Sequence, residues 1–158
     1  NYIRDRLLDD YINKTDIRNN QCNITGFRFD KEVDVNDGRV DIKIHTKNDF
    51  ENFDAFYIIE CKRLDGKNTL NKAYNNDGIA RFTTAYKSDQ IEYYYPSHYG
   101  VNGMIGFIVC SMDIDQNMAK IGTFFNTIQV NKLYKSSHDK FKLYHLMMDF
   151  SKNIETDS

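Results

Sequence analysis

The sequence predicts an α/β fold, in which helices flank a central mixed β-sheet as a three-layer sandwich. Two observations lead to this prediction: segments with apolar residues at helical spacing, and short β-prone runs between them. The predicted order is helix, three strands, helix, strand, helix and helix, which is typical of this architecture. With 158 residues, the chain is expected to form one domain over 1–158, as a whole protein or as a piece of a longer one.

The first part of the chain predicts a helix followed by a β-hairpin. Apolar residues recur at helical spacing over residues 2–13, and the polar stretch after them ends the helix. Residues 27–35 and 40–45 each alternate between apolar and polar side chains, as in strands that bury one face. Since the turn sequence Asn-Asp-Gly lies between them at 36–38, the two strands are expected to pair as a hairpin.

The middle of the chain predicts a central strand, an interrupted helix and a further strand. The β-prone run 56–59 leads directly into the tripeptide Glu-Cys-Lys at 60–62. Residues 69–87 have helical character, but the cluster Asn-Asn-Asp-Gly at 75–78 predicts a kink or two separate pieces. A long surface loop is expected over 90–103, which includes Tyr95, and the uniformly apolar run 104–110 after it is typical of a strand that is covered on both faces.

The last third of the chain predicts two helices. Apolar residues step by three and four positions over 114–128, and Asp113 is positioned to cap that helix. A final helix is expected over 141–150, with Ser136 or Ser137 as its cap. These helices would flank the central sheet.

The overall charge gives no sign of a polyanionic partner, because 21 Lys and Arg residues stand against 23 Asp and Glu residues, for a net charge of −2. The stretch 62–87 differs from the whole, since it holds six basic and two acidic residues. A local excess of this kind is what binding to a phosphate backbone needs. A solvated helix face would have the same composition.

Composition also bears on the compartment in which the protein works. The three cysteines, at positions 22, 61 and 110, have no CxxC spacing, which favours a reducing compartment without disulfides. The first residues lack the pattern of a signal peptide, so a cytoplasmic location is expected. No apolar run approaches the roughly 18 residues that a membrane span needs, and no membrane partner is expected.

The residues that indicate chemistry are Asp41, on the second hairpin strand, and the tripeptide Glu60-Cys61-Lys62 at the end of the next strand. Since side chains alternate along a strand, Glu60 and Lys62 are expected on one face and Cys61 on the other. Two carboxylates and an ammonium group can therefore meet on one face of the sheet. Such a group suits phosphodiester hydrolysis with Mg²⁺, a hard cation that carboxylates and a backbone carbonyl can hold.

The segment Gly38-Arg39-Val40-Asp41, followed by the segment 58–64 (Ile-Ile-Glu-Cys-Lys-Arg-Leu), resembles the metal-binding core of the PD-(D/E)XK nucleases. This superfamily includes restriction endonucleases, Holliday junction resolvases and RecB-type exonuclease domains. The resemblance covers residues 27–110 and includes the order of the elements. It implies a restriction-endonuclease-like fold and a site with Mg²⁺ or Mn²⁺. By position, the metal ligands that it implies are Asp41, Glu60 and the Cys61 carbonyl. The catalytic lysine that it implies is Lys62.

The resemblance also implies a residue that contacts the substrate on the helix after the third strand, and Arg81 is the candidate. Arg63 and Lys67, in the basic stretch, are further candidates for binding DNA. The chain departs from the superfamily pattern because it has neither a proline before the first acid nor a glutamate on the opening helix. A fourth acidic ligand therefore stays open among four alternatives: Asp5, Asp9, Glu32 or a residue upstream.

The expected function is that of a Mg²⁺-dependent deoxyribonuclease of a restriction, DNA-repair or defence type. DNA is the expected partner, and a homodimer or a separate targeting domain are open alternatives for what helps to hold it. One competing interpretation is a catalytically inactive nuclease-fold domain that binds DNA or protein. Another is a salt-bridged rim of charged side chains on an exposed sheet face, which is common and contributes little.

Overall fold

The computed structural model describes residues 2–14, 16–21, 24–36, 38–46, 55–87, 92–122, 125–128 and 132–154. Within these residues the main sheet has seven strands, in the order β1-β2-β3-β6-β9-β8-β7, and β4 and β5 pair separately. The strands are β1 (Phe27–Val35), β2 (Gly38–Thr46), β3 (Tyr57–Leu64), β4 (Ala85–Lys87), β5 (Glu92–Tyr93), β6 (Val101–Ile108), β7 (Phe125–Ile128), β8 (Leu133–His138) and β9 (Phe141–Asp149).

The helical segments are short, and three of them are π-helical. Helix α1 runs directly into π1, and α2, π3 and α3 follow one another without a break. None of the helices in the described ranges is long and apolar enough to cross a membrane. The segments are α1 (Tyr2–Arg6), π1 (Leu7–Ile12), π2 (Ile17–Gln21), α2 (Asn68–Tyr74), π3 (Asn75–Ile79), α3 (Ala80–Thr83), α4 (Ile114–Ile121) and α5 (Ser151–Ile154).

The sheet is mixed. Strands β1, β2 and β3 pair antiparallel, β3 and β6 as well as β6 and β9 pair parallel, and the remaining pairs are antiparallel. The predicted hairpin is confirmed, with Val35 of β1 opposite Gly38 of β2. Pairing of β2 with β3 ends at Ile42 and Ile59 in the part of the chain that the structure describes. Beyond that point β3 continues beside β6, so β2 and β3 diverge where the sequence places the two acids.

Apolar residues are buried on both faces of the sheet. One cluster includes Tyr74 and Phe82, which come from α2 and α3, and the other includes Leu8 from π1. Strand β3 contributes Ile58 to the first cluster and Cys61 to the second, as its alternation predicts. The protein is therefore an α/β fold with a mixed open sheet and helices, an arrangement compatible with a three-layer sandwich.

The predicted interruption of the middle helix is confirmed, because the Asn-Asn-Asp-Gly cluster forms the π-helical turn Asn75–Ile79 between α2 and α3. Gly78 in this turn allows the helix to approach the sheet closely. A Cβ atom on Gly78 would lie 2.5 Å from Cε of Met104 and 3.6 Å from Cγ of Lys62. The sequence here therefore brings the helical segment directly against the strand that carries Glu60 and Lys62.

The helix expected over 141–150 is wrong, since Phe141–Asp149 forms strand β9 between β6 and β8. The buried residues alternate along it: Phe141, Leu143, His145 and Met147 are all buried. This segment has apolar residues both at alternate positions and at helical spacing, so its local pattern fits either structure. Pairing with a parallel strand on one side and an antiparallel strand on the other decides the outcome.

Two related expectations change with it. Ser136 and Ser137, expected as helix caps, lie in strand β8. The helix expected over 114–128 is shorter, because α4 ends at Ile121 and strand β7 follows. Its predicted cap is confirmed, since the Asp113 side chain accepts a hydrogen bond from the N–H of Gln116.

A buried hydrogen-bonded chain connects the end of α2 to strands β9 and β8. The Tyr74 hydroxyl lies 2.8 Å from Nδ1 of His145, and Oγ of Ser136 lies 2.8 Å from Nε2 of His145 and 2.9 Å from Nε2 of His138. All three bonds are satisfied when Tyr74 donates to a neutral His145, His145 donates to Ser136, and Ser136 donates to His138. The chain therefore attaches α2 to the sheet through a neutral imidazole.

His145 should make stability depend on pH. Burial lowers its pKa from 6.5 to about 3 in the folded protein. Because the unfolded chain binds this proton and the folded chain does not, the free energy of unfolding should fall as the pH drops below 6.5. Between pH 7 and pH 5 the loss from this group is about 2 kcal/mol. Urea denaturation of the wild type and of His145→Gln at both pH values measures it.

Between pH 7 and pH 5, the free energy of unfolding of His145→Gln is expected to fall by about 2 kcal/mol less than that of the wild type. His98→Gln is the matched control, because His98 is exposed. Equal pH dependence in the wild type and in His145→Gln would show that His145 is not the group responsible.

Candidate active site

A cleft of about 530 Å³ lies where β2 and β3 diverge. Helical segments from both faces reach it, since Arg4 of α1, Asn76 of π3 and Arg81 of α3 contribute to its wall. The cleft is also lined by the four neighbouring strand residues that the sequence analysis selected, which are Asp41, Glu60, Cys61 and Lys62.

The Asp41 side chain bonds to the backbone of β3 where the backbone pairing of β2 with β3 has ended. Its Oδ2 accepts a hydrogen bond of 2.8 Å from the N–H of Cys61, two residues beyond the last paired residue of β3, Ile59. In a strand, the N–H and C=O of one residue point to the same edge. The Cys61 carbonyl is therefore directed to the same open edge as Asp41.

Glu60 is the most buried acid of the cleft, with 2% of its surface exposed. Its Oε1 accepts a hydrogen bond of 2.5 Å from Nζ of Lys62, and its Oε2 accepts one of 3.0 Å from the Tyr95 hydroxyl. Burial, followed by the negative charge of Asp41, raises the pKa of Glu60 above its usual range. The two carboxylates are thus close enough to repel each other, and positive charge between them would be stabilising.

Arg4 is a buried cation at the cleft that the sequence patterns did not single out. Although it is charged, only 2% of its surface is exposed. Its Nη1 donates to Oδ1 of Asp41 at 2.6 Å, and its Nη2 donates to Asp5 and Glu32 at 2.7 Å each. One guanidinium group therefore connects helix α1 to both strands of the hairpin, and three carboxylates compensate its burial.

A signal for Arg4 is present in the sequence. Arg4 precedes the buried Leu8 by four residues, so both lie on the same face of the opening helix. A cation on the buried face of an amphipathic helix needs an acidic partner in the interior. This position could have been selected from the helical pattern, although its partners could not.

The three numbered candidates for a fourth acidic ligand, Asp5, Asp9 and Glu32, all form ion pairs. Asp5 and Glu32 both bind Arg4, which lowers the pKa of each carboxyl. Asp9 instead pairs with Lys31 at 2.6 Å, where both side chains are about half exposed. Of these three acids, only Glu32 lines the cleft.

Arg81 lies at the cleft, where it is held by Tyr95. Nη1 of Arg81 donates to the Tyr95 hydroxyl at 2.6 Å, and the same hydroxyl donates to the carbonyl of Arg39 at 2.6 Å or to Glu60. Tyr95 was expected in a surface loop, yet only 1% of its surface is exposed. The neighbouring Tyr94 is half-buried and lines the cleft.

Arg63 and Lys67 do not line the cleft. Arg63 follows Lys62 on the same strand and so points to the other side, and its side chain is exposed. Lys67 precedes α2, is exposed, and donates its backbone N–H to Asp65. Both residues stay candidates for contacts with DNA outside the cleft.

No protein-family model, curated protein or solved structure matches the chain.

The donor set fits a hard divalent cation. No group of three or more His, Cys, Asp or Glu side chains is arranged for a metal ion within the described ranges. The cleft offers instead two carboxylates, of Asp41 and Glu60, with the Cys61 carbonyl at the same edge. Oxygen donors of this kind, completed by water, are what Mg²⁺ binds. Burial raises the pKa of the Cys61 thiol, which packs in an apolar cluster and is not a ligand.

Proposed function

We propose that the chain is a metal-dependent deoxyribonuclease of the PD-(D/E)XK type, with a restriction-endonuclease-like fold. It hydrolyses phosphodiester bonds of DNA with Mg²⁺ or Mn²⁺. The observation that carries the proposal is the divergence of β2 and β3, which leaves Asp41, Glu60 and Lys62 together in one cleft.

Each residue of the cleft has a role in this proposal. Asp41, Glu60 and the Cys61 carbonyl would hold the cation, which when bound polarises the phosphoryl group and lowers the pKa of a water molecule. Lys62 places an ammonium group beside Glu60, where it can orient the attacking water or stabilise negative charge on the phosphate. Arg81, which Tyr95 holds at the cleft wall, can bind a neighbouring phosphate.

The local charge supports a polyanionic substrate more than the net charge does. The lining of the cleft holds four cations against three acids, and 61% of the side chain of one of these cations, Arg39, is exposed. Their positive charge lies within the cleft, so the net charge of −2 does not argue against DNA there.

The proposal predicts cleavage that depends on a divalent cation. Supercoiled, linear and branched DNA are incubated with the protein in Mg²⁺, in Mn²⁺ and in EDTA, and the products are separated on gels. Cleavage of at least one substrate is expected with either metal and none with EDTA. If all three substrates stay intact in both metals, the enzymatic proposal is wrong.

One observation favours a second candidate, an inactive nuclease-fold domain that binds DNA or protein. Arg4 and Lys62 already compensate the charges of Asp41 and Glu60, so the cleft is stable without a cation. Calorimetric titration with Ca²⁺, which does not require turnover, separates the two candidates. The nuclease should bind Ca²⁺, and Glu60→Gln but not the remote Asp115→Asn should weaken binding at least about tenfold. The inactive domain should bind none.

A further inference from the structure

The hydroxyl group of Tyr95 lies at the junction of three elements of the cleft. It is 2.6 Å from the Arg39 carbonyl on β2, 3.0 Å from Oε2 of Glu60 on β3 and 2.6 Å from Nη1 of Arg81 on α3. A phenol has one hydrogen to donate and can accept from a further donor. Arg81 supplies that donor, so the hydroxyl hydrogen is available to Arg39 or to Glu60.

This contact lies where the backbone ladder is open. Within the described residues, backbone pairing of β2 with β3 ends at Ile42. Beyond it, the side chains of Asp41 and Tyr95 bridge the opening between the two strands. Asp41 bonds to the backbone of β3, and Tyr95 bonds to the backbone of β2 and to Glu60. The relative position of the two acids therefore depends on these two side chains.

The ring of Tyr95 is fixed by packing. Phe82 meets the ring edge to face at a centroid distance of 5.2 Å. The backbone N–H of Tyr95 donates to the Arg81 carbonyl at 3.0 Å. On the other side, a Cβ atom on Gly38 would lie 3.0 Å from Cε1 of Tyr95. Only glycine leaves the ring in place without a shift, so Gly38 and Tyr95 fit as a pair.

We propose that Tyr95 is a positioning residue that holds the Glu60 carboxylate and the Arg81 guanidinium at fixed positions relative to Asp41. It does not touch substrate, because it is buried. This inference rests on the proposed metal site, since it assigns to Tyr95 the orientation of one of its ligands. Residues that orient metal ligands affect metal affinity by about 10- to 100-fold when they are replaced.

The test is calorimetric titration of the wild type, Tyr95→Phe and Tyr134→Phe with Mn²⁺, together with urea denaturation of each without metal. Tyr95→Phe keeps the ring and is expected to raise the Kd for Mn²⁺ about 10- to 100-fold. Tyr134→Phe is the control, because Tyr134 also donates a hydrogen bond to an acid, Asp115, away from the cleft. It should leave the Kd for Mn²⁺ unchanged, even if stability falls.

A second variant keeps the test independent of whether Tyr95→Phe folds. Gly38→Ala retains the phenol, but its Cβ atom would lie 3.0 Å from Cε1 of Tyr95 and so require a small shift of the ring, which should also weaken Mn²⁺ binding. Unchanged affinity in a folded Tyr95→Phe, or loss of stability without loss of affinity, would overturn the positioning role while the metal site itself stands. A wild type that binds no Mn²⁺ would overturn the metal site and with it this role, so the two failures are distinguishable.

Discussion

Replacement of Lys62 by alanine is expected to slow Mg²⁺-dependent DNA cleavage by about 10²- to 10³-fold, the usual cost of removing one donor that stabilises charge in a transition state. Nζ of Lys62 lies 2.5 Å from Oε1 of Glu60, and 21% of its side chain is exposed to the cleft. The ammonium group is therefore near the proposed cation and in reach of a phosphate. Initial rates on the best DNA substrate measure the effect.

The same variant should keep its affinity for Mn²⁺, because Lys62 is not a ligand and its positive charge competes with a cation for Glu60. Lys132→Ala is the matched control, since Lys132 also pairs with an acid, Asp115, but lies away from the cleft. Its cleavage rate should equal that of the wild type. Full activity in Lys62→Ala would exclude the catalytic role, and loss of Mn²⁺ binding would mean that the site had been disrupted.

Replacement of Arg4 by methionine should lower the free energy of unfolding by about 3 kcal/mol. Arg4 is buried and binds Asp5, Glu32 and Asp41 at once. Removal of the guanidinium leaves Asp41, whose side chain is only 14% exposed, next to Glu60 without that compensating charge. The urea midpoint measures the change, and an unchanged m value would show that the folded state stays compact.

The control is Arg6→Met, because Arg6 is on the same helix and pairs with Asp10 but is 60% exposed. An exposed pair of this kind contributes about 0.5 kcal/mol or less. Equal losses in the free energy of unfolding for the two variants would mean that the burial of Arg4 does not increase its contribution to stability.

Features that depend on local sequence could be predicted. The hairpin follows from alternation around a turn sequence, and the break in the middle helix follows from residues 75–78. Asp41, Glu60 and Lys62 could be grouped because strand alternation fixes which side chains share a face. All three line the cleft, together with Cys61, which alternation places on the opposite face of the strand from Glu60 and Lys62.

Features that depend on distant partners could not be predicted. Strand β9 has an apolar pattern that also fits a helix, and only its position between two other strands decides between them. The helical pattern places Arg4 on a buried face and Tyr95 has no local motif, but their partners, Asp41 and Glu60, lie 37 and 35 positions away. The sequence therefore indicates the acid pair, but not which side chains bond to it.

The most direct test of the central claim is a crystal structure with Mn²⁺, in which anomalous scattering locates the ion. The proposed function predicts one strong peak in the cleft, in contact with the carboxylates of Asp41 and Glu60 and with the Cys61 carbonyl. Absence of a peak there at saturating Mn²⁺, with Arg4 and Lys62 still bound to the two acids, would contradict the metal site and favour the inactive domain.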